Sequence, residues 1–147
     1  VARPTGADCI RDSRGVAIAD FNLDGKLDLV INNNNAAPTL YLNDLRQTGN
    51  WAAFRLVGRE SNRDAIGAKV KLTVGGKTLL RQVEAGSGFA SEMMLPVHFG
   101  LGAASRIERV EVLWPSGLVQ TIEGAELGVN RFTRIEEGTM ITARVKR

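Results

Sequence analysis

The chain has 147 residues, 44% of them hydrophobic and 24% charged, with a formal net charge of +3. That length suits one well-packed domain, or a small domain with an appendage. No apolar run approaches the roughly 20 residues that span a bilayer, and the basic residues are scattered along the chain rather than gathered into the aromatic-laced stripe of a nucleic-acid surface.

The opening Val-Ala-Arg-Pro-Thr-Gly has no Met and no charged-then-apolar leader, so the chain reads as a mature protein or a fragment of one. Cys9 is the only cysteine. It allows no internal disulfide and is expected to pack as a small hydrophobe.

Short alternating runs punctuated by Gly, Asn and Pro predict an all-β chain. Strands are expected over residues 16–19, 28–32, 39–42, 53–57, 68–74, 77–84, 95–99, 109–114, 119–122, 132–136 and 140–145. The clearest is Ala68-Lys-Val-Lys-Leu-Thr-Val74, which alternates apolar and polar faces. Gly75-Gly76 follows it directly and supplies the positive φ that a two-residue hairpin turn requires. The run Asn32 to Asn35 predicts a turn, because Asn tolerates left-handed backbone. No stretch of ten residues carries a helical stripe. Composition shifts at Asn43-Asp-Leu-Arg-Gln-Thr-Gly-Asn50, which predicts a boundary between residues 1–50 and residues 51–147. The first part is too small to stand without a metal or a neighbour, whereas the second could complete a β-sandwich or barrel.

Between the first two strands lies Asp20-Phe-Asn-Leu-Asp-Gly-Lys-Leu-Asp28. Side-chain oxygens fall at Asp20, Asn22, Asp24 and Asp28, and the Lys26 carbonyl completes an oxygen-only set suited to Ca2+. Gly25 permits the sharp turn. Three carboxylates repel one another at short range, and a divalent cation relieves that repulsion. The absence of nitrogen and sulfur ligands argues against zinc or copper. The first half matches an EF-hand loop, but Ile31 stands where that loop needs a bidentate Glu. The flanks Gly15-Val-Ala-Ile-Ala and Leu27-Asp-Leu-Val-Ile are strand-like, so the expected site is a β-hairpin calcium loop.

The segment from Gly15 to Asn32 resembles an FG-GAP (VCBS-type) repeat of integrin-α-like β-propellers. That resemblance implies calcium held by Asp20, Asn22, Asp24, the Lys26 carbonyl and Asp28 within a propeller blade. One repeat is found where a propeller needs several. It is therefore either the last blade of a truncated propeller, with neighbouring blades in a longer protein, or a lone docked hairpin.

Four further motifs follow residue 60: Ala65-Ile-Gly-Ala-Lys-Val, Gly86-Ser-Gly-Phe-Ala-Ser, His98-Phe-Gly-Leu-Gly and Trp114-Pro-Ser-Gly. The glycine-rich loop lacks the Gly-Lys-Ser/Thr ending and the helix of a phosphate cradle. His98 with Ser87 or Ser91 lacks a nucleophile elbow, so a structural histidine is expected. Trp114 is expected to end a strand, with Pro115 and Gly117 making the turn. Glu84, Glu92, Glu108 and Glu111 are expected as exposed strand carboxylates, since glycosidase chemistry needs two held across a cleft. In this order the four motifs look like the ASPIC/UnbV domain, over roughly residues 51–136. That domain typically follows FG-GAP repeats in cartilage acidic protein-like and bacterial exported proteins.

The expected protein is thus all-β: an N-terminal calcium-loop β-hairpin followed by a β-sandwich or barrel-like domain. Its expected function is that of a non-catalytic binding or adhesion module, extracellular or periplasmic, for a protein or carbohydrate ligand. The alternatives are an accessory domain of an exported enzyme or assembly, and a structural or oligomerising element built on exposed strand edges.

Overall fold

The computed structural model of the chain describes residues 6–8, 10–46 and 49–139, together with the backbone of Ala143–Arg144. Cys9 lies outside the described residues, as does most of the strand expected over 140–145. The described elements, in chain order, are β1 (Ser13–Ala19), β2 (Asp28–Asn33), β3 (Ala36–Tyr41), β4 (Asn50–Val57), β5 (Lys69–Val74) and β6 (Lys77–Gln82). They continue with β7 (Val97–Gly102), β8 (Arg109–Leu113), β9 (Val119–Glu123), a 3-10 turn at Gly124–Glu126, β10 (Phe132–Glu136) and β11 (Ala143–Arg144). No α-helix occurs among the described residues. Strand β7 starts two residues later than expected, because Pro96 has no N–H to give to a ladder.

The chain divides into two compact units. One comprises Val1–Arg46 and Ala85–Met94; the other comprises Gln47–Glu84 and Leu95–Arg147. The sequence gives no sign that residues 85–94 leave the second part to join the first.

In the first unit β1, β2 and β3 form an antiparallel sheet in that order. The Asn run turns between β2 and β3, with Asn35 in left-handed backbone at φ 51°. Asn33 is buried, and its amide donates to the Ala37 carbonyl and to Thr39 Oγ1. The 85–94 segment runs along the outer edge of β1. There the Ile18 N–H meets Met93 Sδ at 3.3 Å and the Met94 N–H meets the Ile18 carbonyl at 3.3 Å. Gly15 makes that approach possible, since a Cβ there would lie 2.9 Å from the Phe89 carbonyl oxygen.

The second unit is a β-sandwich of two four-stranded sheets, ordered β11-β10-β4-β7 and β6-β5-β8-β9. Its core follows from alternation. Val70, Leu72 and Val74 point inward from β5, between Lys69 and Lys71 on the solvent side. Directly opposite them, Val112 faces Val70 and Val110 faces Leu72, and Ile122 of β9 extends the row. The other sheet contributes Ala52, Phe54 and Leu56 from β4, Val97, Phe99 and Leu101 from β7, and Ile135 from β10. Phe54 and Phe99 meet edge to face at 5.9 Å, the arrangement that ring quadrupoles favour. The β5–β6 hairpin turns at Gly75-Gly76, with φ 54° and 71°.

Among the described strands one pairing is parallel: β10 runs alongside β4, with Phe132 opposite Ala53 and Ile135 opposite Leu56. On the outer face of this sheet Ala53 is fully covered, and its neighbours in register are His98 and Phe132. Trp51 stacks on His98 at 5.5 Å and meets Phe132 edge-on at 5.1 Å. His98 is thus an aromatic partner in the cover of the sheet.

The contact at Gly15 can be tested directly. Gly15→Val should push the 85–94 segment off β1 and destabilise the first unit by roughly 1–3 kcal/mol, as overpacking does elsewhere. Hydrogen exchange at the Ile18 and Met94 amides should accelerate; unchanged exchange at both would show that the segment is held by something else.

Candidate metal-binding loop

The loop between β1 and β2 is built on its aspartates. Asp20 follows β1 and Asp28 opens β2 opposite Ala19; both are buried, at 6% and 1% exposure. Burying a carboxylate is costly unless hydrogen bonds satisfy it, and the loop satisfies these with its own backbone. Asp20 Oδ1 accepts the Asp24 N–H at 3.0 Å and Oδ2 accepts the Gly25 N–H at 2.8 Å. Asp28 Oδ2 accepts the Phe21 N–H at 2.9 Å. These bonds hold the chain through two left-handed residues, Leu23 at φ 59° and Gly25 at φ 88°.

The outer part of the loop is closed by Asp24. Its Oδ1 accepts the Lys26 N–H at 2.9 Å, and its Oδ2 takes the Asn22 amide at 3.0 Å and the Lys26 ammonium at 3.1 Å. Burial pushes the Asp24 carboxyl up, but the backbone and side chain of Lys26, with Asn22, outweigh it and leave it below its usual value. All five residues of the expected set therefore share one loop. Every carboxylate oxygen in it accepts at least one N–H. Among the described residues no three His, Cys, Asp or Glu side chains converge as a formed metal centre.

Asn43 is a participant that sequence reasoning missed. Its N–H donates to Asp28 Oδ1 at 2.8 Å, and its amide returns to the Leu27 carbonyl at 3.3 Å. The last carboxylate of the loop thus fixes the chain where it leaves β3. Asn43 falls in the segment whose composition reads as a connector, and nothing in the loop pattern points to it.

The second unit has its own buried carboxylate, Glu137, at 3% exposure. Its oxygens accept the Arg59 N–H at 2.7 Å, the Ser61 N–H at 2.8 Å, the Ser61 hydroxyl at 2.8 Å and the Ser116 hydroxyl. Burial alone would raise this carboxyl; donation from Ser116, Ser61 and Arg59 overrides it and lowers the pKa to about 2. Ser116 belongs to the Trp114-Pro-Ser-Gly motif. Trp114 is buried in the core, and its indole N–H donates to Gln120 Oε1 at 2.9 Å. Gln120 also receives the Gly138 N–H and donates to the Glu136 carbonyl. The motif therefore clamps the end of β10 to the β8–β9 turn. Glu137 falls just past the strand expected over 132–136, where no motif marks it. Two of the four carboxylates weighed for acid–base chemistry are engaged elsewhere: Glu111 pairs with Lys71 at 2.8 Å and Glu108 accepts the Gly76 N–H.

A family model described as ASPIC and UnbV matches residues 58–141. Cartilage acidic protein 1 of Xenopus tropicalis is 36% identical over 126 residues, which is 81% of this chain and 19% of that protein. The proteins of the same name from Mus musculus and Homo sapiens are each 37% identical over 108 residues, 70% of this chain and 16% of theirs. The chain thus spans less than a fifth of the length of these relatives.

Glu137 makes a pH prediction with a definite sign. Its folded-state value lies below the 4.5 of an unperturbed Glu, so its contribution is complete above pH 4.5 and disappears as pH falls toward 2. Wild-type stability should drop by at most about 3 kcal/mol from this group across that window. Glu137→Gln should be less stable at pH 7 and should flatten the acid limb in chemical denaturation. An equally steep limb in the variant would remove Glu137 as its source.

Proposed function

This chain belongs to the ASPIC and UnbV family, and from that footing we propose that it is a calcium-stiffened, non-catalytic binding module that works outside the cell. In this reading the first unit is one blade-like repeat of a larger FG-GAP-type propeller, and the sandwich is the unit that follows it.

The observation that carries the proposal is the inverted burial of the first sheet. Its strand residues that are buried are Gly15, Asp28 and Asn33, while its apolar residues are left half-exposed or exposed. The register sorts them onto two faces. Val16, Ile18, Leu29, Ile31 and Tyr41 share one; Ala17, Val30 and Leu40 share the other. A sheet apolar on both faces belongs between two other layers. Adjacent blades would supply those layers, and the shortness of this chain beside its relatives leaves room for them.

The donor set of the loop fits calcium in its chemistry. It is composed of oxygens alone, carries three carboxylates, and each carboxylate oxygen except Asp24 Oδ2, which takes two donors, has a second lone pair beyond the one N–H it accepts. Asp20, Asn22, Asp24, the Lys26 carbonyl and Asp28 would hold the ion, and the ion would supply charge compensation and stiffness. The residues themselves supply a preformed loop, through the bonds of Asp20 and Asp28 to the backbone. For a module outside the cell the expected Kd for calcium is about 10⁻⁴–10⁻³ M. Engagement of Glu108, Glu111 and Glu137 in structural bonds supports a binding role over catalysis.

Calcium bound only to the folded state adds about 2.7 kcal/mol at a hundredfold excess over Kd. Chelation should therefore lower the melting temperature by several degrees, and Asp24→Ala should abolish the difference between chelated and calcium-loaded protein. Identical melting of wild type in both conditions would overturn the calcium reading.

A further inference from the structure

We propose that the Lys26 ammonium is a built-in counter-cation of this loop, which latches Asp24 in the absence of metal and competes with calcium for that carboxylate. The inference rests on the calcium reading above and concerns how the same site is regulated.

The three aspartates are not equivalent. Asp20 and Asp28 are buried and bound to backbone N–H groups, whose positions are set by the course of the chain. Asp24 Oδ2 instead takes two side-chain donors, the Asn22 amide and the Lys26 ammonium. A carboxylate oxygen offers two lone pairs. With both occupied, Asp24 Oδ2 must release a donor before it can take a metal ion. The charged donor is the one to leave, since an ammonium about 3 Å from the ligating oxygen would repel the incoming cation. The amide can stay or turn without that penalty.

Lys26 can make this exchange at low cost. Its side chain is mostly covered, at 21% exposure against 31% for Asp24, but it is not sealed from solvent, and four rotatable bonds let the ammonium swing into water. The Lys26 N–H stays on Asp24 Oδ1 through the same exchange, so the backbone need not move. The loop therefore has two charge-compensated states. In one the lysine neutralises Asp24; in the other the metal does. Calcium affinity is consequently lower than the oxygen set alone would give, and the calcium-free loop is better held than three bare carboxylates would be.

Calorimetric titration of calcium into wild type, Lys26→Met and Lys26→Arg tests this. Lys26→Met should bind calcium roughly two- to fivefold more tightly, the range an exposed ion pair can contribute. Its melting temperature without calcium should fall below that of wild type, and Lys26→Arg, which keeps the charge, should stay close to wild type in both. Amine-directed acylation of wild type, followed by mass spectrometry, gives an independent readout: labelling of Lys26 should rise on saturation with calcium. Equal affinity in wild type and Lys26→Met, or labelling indifferent to calcium, would overturn the competition while leaving the calcium site standing. No calcium binding in any of the three proteins would overturn the calcium reading and the competition with it.

Discussion

Each unit of this protein is organised around a carboxylate that water does not reach. Asp28 in the first and Glu137 in the second are 1% and 3% exposed. An unpaired buried charge would cost several kcal/mol, so the chain must bring donors to both. Asp28 draws Phe21 and Asn43 together across the loop and the exit of β3. Glu137 draws the segment after β4, the β8–β9 turn and the end of β10 to one point. Both use charge to fix loops that the hydrophobic effect, being non-directional, cannot place.

The sandwich was legible where burial is one-sided. Lys69 to Val74 and Arg109 to Leu113 alternate cleanly, and both became strands whose inward residues meet in register. The turn at Gly75-Gly76 and the left-handed Asn35 were also readable, because few residues accept that backbone. The motifs around Ala65, His98 and Trp114 were enough to suggest the family. The β4–β10 parallel pairing was not legible, since partners so distant in sequence leave no local signature. Nor was the return of residues 85–94 to the first unit, where a glycine-rich run reads the same whether it turns in solvent or lies along a strand. Glu137 was hidden for a related reason. Its donors, Ser61, Arg59 and Ser116, come from two separate loops, and only the fold brings them to it.

The two units solve different problems with the same secondary structure. The second encloses its own core between two sheets and needs no other layer to do so. The first buries Asp28 and Asn33 while leaving Ile18, Val30 and Leu40 partly open. Its stability therefore depends on hydrogen bonding within the loop and hairpin more than on apolar burial. In such a sheet the loop's charge balance carries weight that a core would carry elsewhere, and Lys26 and Asp24 gain significance from that setting.

The parallel pairing of β4 with β10 also constrains how the polypeptide can be made. On a ribosome β4 emerges among the first strands of its unit, yet one of its edges waits for Phe132–Glu136. Until those residues appear, the core residues Phe54 and Leu56 lie on a strand whose hydrogen-bonding groups are half satisfied, a state open to mispairing. Loop-closure entropy makes such distant pairings slow to form. Vectorial synthesis thus leaves the sandwich incomplete until nearly its last strand, and a chain cut short before Phe132 would present a sticky edge rather than a smaller domain.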